Sequence, residues 1–256
     1  MSRLSTGTPA LAEFALGMGD TVLILGHRNS QWCGHSPALE EDIALANTAL
    51  DLIGQAQLWL GLAAEAEGKG RTPDTLAYLR DAPAYRNFLL VEQPNGDFGR
   101  TVMRQYLFDA WHLPMLKALT ASSEARVAEI AEKAAKEVAY HLERSADLVV
   151  RLGDGTDESH ARMQAALDVL SPYTGEMFLG DAAEEELAAA GIVPAPDTLR
   201  AAWDQHVRRT LADATLKLPE KPYVQKGGRR GIHSEHLGFI LAEMQHLQRA
   251  YPGAAW

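Results

Sequence analysis

Asp109 is followed three residues later by His112, and Glu243 is followed three residues later by His246. On a helix that spacing puts both side chains on one face, so a carboxylate and an imidazole can grip one cation together. Bundles that hold two irons use such pairs: two helices each give one carboxylate, and two others each give Glu-x-x-His. The anionic oxygens balance the metal charge and the imidazoles fix its geometry. Against that template the first long helical stretch offers Asp20 and the second Asp51, with Gly54 where a histidine should stand and Asn47-x-x-Leu50 one turn earlier. The third offers Asp109 with His112. The fourth offers Glu137, with Tyr140 at the histidine position and His141 about 100° further round. Four acids and at most one well-placed imidazole are too few donors, in the wrong order.

The expectation is therefore a bundle interior whose polar groups satisfy one another. Asp20, Asn47, Asp51, Asp109, Glu137, His141 and Arg144 would be joined by hydrogen bonds and ion pairs, with Arg144 and Lys136 neutralising acids without a metal. Glu243-Met-Gln-His246 matches the tetrapeptide literally, and His236 lies seven residues before Glu243, but no second copy stands on another helix. It reads as part of a partly exposed amphipathic helix. A second chemical feature is Lys226-Gly-Gly-Arg-Arg-Gly-Ile-His233, the strongest cationic run on an acidic chain. Its glycines allow close approach, and Lys226, Arg229, Arg230 and His233 could contact a phosphate, as in coenzyme A, or an acidic partner surface. It is not a P-loop, because the Gly-Lys-Ser/Thr ending and the preceding strand are missing. No nucleophile elbow is present.

The elements that must position these groups are helical throughout. The central one is Ser36 to Gly68, opened by Ser36-Pro37 and by the acids Glu40, Glu41 and Asp42. Its apolar residues cover nearly the whole circumference, which predicts burial on all sides around one inward polar line, Asn47, Asp51 and Gln55. A helix from Pro9 to Arg28 precedes it. Thr72-Pro73 opens a short helix, Tyr85 to Val91 makes an apolar turn or two, and Asp97 caps a helix to about Thr120 that contains Pro114. Glu124 to Leu152 follows. These four long helices predict one up-down bundle with a longer crossover between the second and third, a core at about 9–152. Shorter helices at about 157–251 wrap it, including Asp157 to Leu170, one from Asp197 to about Leu218 and a last one from Ser234 to Tyr251. The prediction is one all-α domain over 1–256.

Composition narrows the function. A formal charge of -10 argues against a nucleic-acid or anionic-membrane surface. The single cysteine, Cys33, excludes an internal disulfide framework and is expected to be a small packed residue. Glu13 and Asp20 interrupt the early apolar run, so no membrane span or targeting segment is expected, and the setting reads as cytoplasmic.

WCGHSPALEEDIALANTALDLIGQAQ, LLVEQPNGDFGRTVMRQYLFDAWH, GTDESHARMQ, TLRAAW and GGRRGIHSEHLGFILAEMQ resemble, in order and spacing, the C subunits of the bacterial ring 1,2-phenylacetyl-CoA epoxidases, also called phenylacetyl-CoA monooxygenases. The similarity runs from about Leu16 to Trp256. It implies a ferritin-like fold and a chain that has lost its metal ligands. It also implies a catalytic A subunit that holds the di-iron centre and epoxidises the ring, a bridging B subunit, and a flavin and iron–sulfur reductase that docks transiently. On that reading the chain carries no cofactor and no metal of its own and stabilises the A subunit. The alternatives are an autonomous di-iron oxygenase and a ferritin-like storage or stress protein, both of which need the ligands that are missing.

Overall fold

The computed structural model describes residues 8–219 and 223–254. Among the described residues there is no strand, and eleven α-helices follow one another. They are α1 (Pro9–Ser30), α2 (Leu39–Glu67), α3 (Pro73–Tyr78), α4 (Leu89–Glu92), α5 (Phe98–Leu119), α6 (Ala125–Gly153), α7 (Asp157–Leu170), α8 (Ala182–Ala189), α9 (Arg200–Asp213), α10 (Glu235–Met244) and α11 (His246–Ala250). The chain is all-α, as its periodicity predicts, and consistent with a ferritin-like fold. The middle of the predicted two-proline loop, positions 220–222, lies outside the described residues.

Local chemistry sets most of the helix ends. Thr8 accepts from the Leu11 N–H at 3.2 Å while Pro9 takes the first helical position. Asp97 accepts from the Arg100 N–H at 2.8 Å and starts α5 where the sequence predicts. Thr156 and Ser159 cap each other reciprocally at the start of α7. Two ends differ from expectation. Ser36 does not cap α2: proline disfavours helical backbone just before it, the extended Ala38 becomes the N-cap, and Asp42 reaches back to accept from the Gly34 and Ser36 N–H groups. The helix expected from Asp197 to Leu218 is shorter, because a 3-10 turn at Pro196–Leu199 precedes α9 and Thr215 adopts a left-handed φ of 59° just beyond it.

The described chain groups into two compact units. The first is built from the described parts of Met1–Pro94 and Lys226–Trp256, and the second is Asn95–Gln225. In the first unit α1 and α2 run antiparallel. A Cβ added to Gly19 would lie 2.7 Å from Leu60 Cδ2, and one added to Gly26 would lie 3.1 Å from Ile53 Cγ1. The two close approaches have equal index sums, as an antiparallel pair requires. Phe14 and Trp59 meet edge to face between these helices at 6.0 Å.

α2 is not buried on all sides. Leu45, Ala49, Leu52, Ala56 and Trp59 are buried, but Leu39, Ile43 and Leu50 are 72%, 53% and 67% exposed. Asn47 is exposed too, so the polar line predicted to run inward turns out to the surface at that end. Cys33, expected to be packed, is exposed in the turn before α2. α1 is long and apolar enough to cross a membrane by length and composition, contrary to expectation, yet 78% of that window is buried inside the chain. The central helix of a folded core reads the same way.

In the second unit the long pair is α5 and α6, with α7 and α9 against them. Trp203 on α9 donates its indole N–H to the Leu107 carbonyl at 3.0 Å. Gly153, at the end of α6, admits Ala214: a Cβ there would be 2.6 Å from the Ala214 oxygen.

Candidate functional site

Each unit has a polar centre, and the two are built differently. In the second unit Asp109, His112, His141 and Ser145 are all buried where α5 faces α6. Gln105 donates its amide to Asp109 Oδ1 at 2.7 Å, and the Ser145 hydroxyl lies 2.9 Å from Oδ2 and 3.3 Å from the Leu142 carbonyl. Burial pushes the Asp109 pKa up to about 8; the bonds from Ser145 and Gln105 and the charge of Arg144 oppose that without outweighing it. Neutral Asp109 can donate from Oδ2 to Ser145, which then turns its own hydrogen to Leu142. One turn on, His112 packs against Phe108 at 4.8 Å and Trp111 at 6.1 Å, and neither ring nitrogen has a hydrogen-bond partner. Burial pushes its pKa down to about 3, and the nearby His141 adds to the effect. Asp109 and His112 are thus both uncharged at neutral pH.

The first unit keeps its charges and pairs them. Asp20 on α1 is fully buried and takes both terminal nitrogens of the Arg80 guanidinium, plus the Arg86 backbone N–H at 2.8 Å. Arg80 also donates to the Leu76 and Ala84 carbonyls and lies 4.2 Å over the Tyr85 ring. Gln245, between α10 and α11, donates to the Ala77 and Arg80 carbonyls and to the Tyr85 hydroxyl. A second group centres on Glu92 in α4. Its carboxylate accepts from Asn87 at 2.9 Å and from the Ser234 N–H at 2.6 Å, and it faces His233 Nδ1 at 2.8 Å. His233 Nε2 faces the Tyr85 carbonyl at 3.1 Å, so the ring bridges Glu92 and the Tyr85 carbonyl. A cavity of about 390 Å³ opens beside this region, lined by Leu16, Glu13, Lys69, Arg71, Arg80 and Arg86 among others. Glu67 holds Arg71, and Glu13 holds Arg86 at 2.6 Å.

The model of the family described as "Phenylacetic acid catabolic protein" matches residues 3–256. The chain belongs to that family. It is 47% identical over 246 residues to the C subunit of the 1,2-phenylacetyl-CoA epoxidase of Escherichia coli (strain K12), covering 96% of this chain and 99% of the relative.

In this member of the phenylacetic acid catabolic family the residues singled out from sequence fall into three groups. Asp20, Asp109 and His141 are buried; Asp51, Glu137 and Arg144 are half-buried; Asn47 is exposed. Asp20 meets Arg80, a residue that no local pattern singles out, and Asp109 meets Gln105 and Ser145. In the basic run Lys226 and Arg230 are exposed. Arg229 lies instead 5.4 Å over the Phe88 ring, its guanidinium against Gly17, and His233 is spent on Glu92. Glu243 and His246 sit on either side of the helix interruption at Gln245, both exposed. The sequence predicts one continuous helix there; the buried Gln245 amide, anchored to three acceptors, marks where it breaks.

A di-iron centre does not fit these donors. Asp109-x-x-His112 on α5 faces His141 and Ser145 on α6 rather than a second Glu-x-x-His, and both Asp109 oxygens are engaged. Among the described residues no group of three or more His, Cys, Asp or Glu side chains converges to hold a metal.

Proposed function

We propose that this chain is the non-catalytic subunit of a 1,2-phenylacetyl-CoA epoxidase complex, packing on a sister subunit whose di-iron centre epoxidises the aromatic ring. The observation that carries the reading is the full-length relationship to the C subunit of an epoxidase, a name that makes that relative part of a multi-subunit enzyme. The donor set of α5 and α6 supports it: a centre that holds an uncharged aspartic acid and an uncharged histidine among rings is built to stay folded rather than to bind cations. A bridging subunit and a reductase complete the assembly on this reading, and its setting is cytoplasmic. Lys226 and Arg230, the exposed cations of the basic run, are the residues available to an anionic coenzyme A moiety or an acidic partner.

Metal analysis and turnover, made on the purified chain and on the chain co-expressed with the di-iron sister subunit, test this. Expected are no stoichiometric iron and no turnover for the chain alone, and both for the complex. Stoichiometric iron with turnover by the isolated chain would make it an autonomous oxygenase.

A further inference from the structure

The cavity of about 390 Å³ in the first unit has a lining in two parts, one apolar and one cationic. The apolar part is built mostly of small residues: Ala12 and Leu16 on α1, Ala63 and Ala66 on α2, Leu76 on α3, and Ala84. Alanine at four of these six places leaves the space open. The volume lies towards the lower end of the range of about 300–1,000 Å³ over which proteins hold small molecules, which suits a compact ligand. The charged part sets Lys69, Arg71, Arg80 and Arg86 against Glu13 and Glu67. Asp20, paired with Arg80, is a third acid, so one positive charge is left over on a chain whose formal charge is -10. Glu65, Asp74 and Asp81, the other acids between Ala63 and Arg86, do not line the cavity, and Asp81 is held by Arg249 at 3.0 Å.

Pairing does not use up the donors. Arg71 binds Glu67 through Nε and Nη2. Arg86 binds Glu13 through Nε and the Pro83 and Tyr85 carbonyls through Nη1. Among the described residues Nη1 of Arg71, Nη2 of Arg86 and the Lys69 ammonium have no partner. The turn that carries Lys69 and Arg71 depends on Gly68 and Gly70, whose left-handed φ values are 63° and 69°. The hydrogen bond from Arg71, and then the charges of Arg71, Lys69 and Arg80, hold the Glu67 carboxyl below its ordinary range against the opposing effect of burial. Three cations thus converge on one acid. We propose that this cavity binds a small monocarboxylate with a compact apolar body, its carboxylate taken by the spare nitrogens of Arg71, Arg86 and Lys69 and its body laid on the alanine wall. A single negative charge matches the single excess positive one, and a planar carboxylate matches guanidinium donors. The inference rests on the cavity alone and is independent of the subunit reading.

Calorimetric titration of the full chain tests this, with phenylacetate as the probe. Acetate lacks the apolar body, phenylacetamide lacks the charge, and inorganic phosphate lacks the body and carries more charge. Expected is saturable binding of phenylacetate at one site, at least tenfold tighter than any of the other three. Lys69→Gln with Arg71→Gln is expected to weaken it at least tenfold. Ala12→Leu fills the apolar wall without touching a charge and is expected to weaken it as much. Lys69 is exposed and Arg71 and Ala12 are half-buried, so the thermal midpoints of these variants should stay at the wild-type value. Lys117→Gln, an exposed cation of the second unit, is the control and should bind as wild type does. No saturable binding by wild type, or acetate or phosphate held as tightly as phenylacetate, would overturn the ligand class. Unchanged affinity in the folded double variant or in folded Ala12→Leu would overturn the site, and Lys69→Gln alone, at an exposed position, keeps that result obtainable.

Discussion

Asp20 and Asp109 are both fully buried aspartates in the middle of 22-residue helices, yet an arginine fork closes on the first and an amide and a hydroxyl on the second. Removing a carboxylate from water costs several kcal/mol either way, on the order of magnitude known for ions in protein interiors. The first unit offsets that cost by bringing in Arg80 from beyond α3 and satisfying the remaining guanidinium hydrogens on the Leu76 and Ala84 carbonyls. The second unit avoids most of it, because Asp109 keeps its proton and His112 goes without one. Paired charges tie distant segments together. The neutral group at Asp109 joins only the neighbouring helices α5 and α6, through Ser145.

The comparison breaks most visibly at Arg80. Arg80→Met leaves the buried Asp20 carboxyl without its fork, and should cost about 3–5 kcal/mol, the usual range for removing one partner of a buried ion pair. Adding Asp20→Asn removes the stranded carboxyl and should restore much of the loss. Urea midpoints of the two variants and wild type decide it. A single variant as stable as wild type would mean that the pair contributes nothing.

Glu92 comes next, because it holds segments more than 140 residues apart in sequence through Ser234 and His233. Glu92→Gln retains the shape and removes the charge that strengthens these bonds, and should cost about 2–3 kcal/mol. The loss should be localised. Amide exchange is expected to quicken through α10 and α11 while α1 and α2 stay protected. Uniform quickening throughout the unit would show instead that Glu92 supports the whole fold and is not a clamp on the C-terminal arm.

The contrast between the two centres also explains what could be read in advance. The cap at Asp97 and the helical period of α1 and α6 are local signals, so the all-α class and the long helices were legible. So was the poverty of metal donors, since it depends only on which residue types stand at fixed spacings. Arg80 was not legible as the partner of Asp20, because the two are 60 residues apart and nothing near Arg80 announces an interior position. Gln245 was missed for the same reason: its three acceptors lie on the α3 turn and at Tyr85. α2 shows a different limit. Periodicity reveals that a helix is apolar all round, but not whether the second face is covered by its own chain, and Leu50 and Asn47 were both assigned inward on that ground.

The smallest effect is also the one that separates the centres by sign. The Asp109 pKa rises on folding from 3.8 to about 8, so the folded state holds its proton more tightly, and stability is lost as pH climbs between those values. The His112 pKa falls on folding from 6.5 to about 3, so stability is lost as pH drops through that interval. Between about 4 and 6.5 the two slopes oppose each other; from 6.5 to 8 only Asp109 titrates. Wild type should therefore lose stability over that upper interval, by up to about 2 kcal/mol at 1.36 kcal/mol per pH unit. Asp109→Asn cannot ionise and should run level there, while still weakening below pH 6.5 through His112. Denaturant midpoints at pH 5, 6.5 and 8 provide the measurement. If the variant declines towards pH 8 as wild type does, Asp109 is ionised in the fold after all, and the second unit manages its buried carboxylate as the first does.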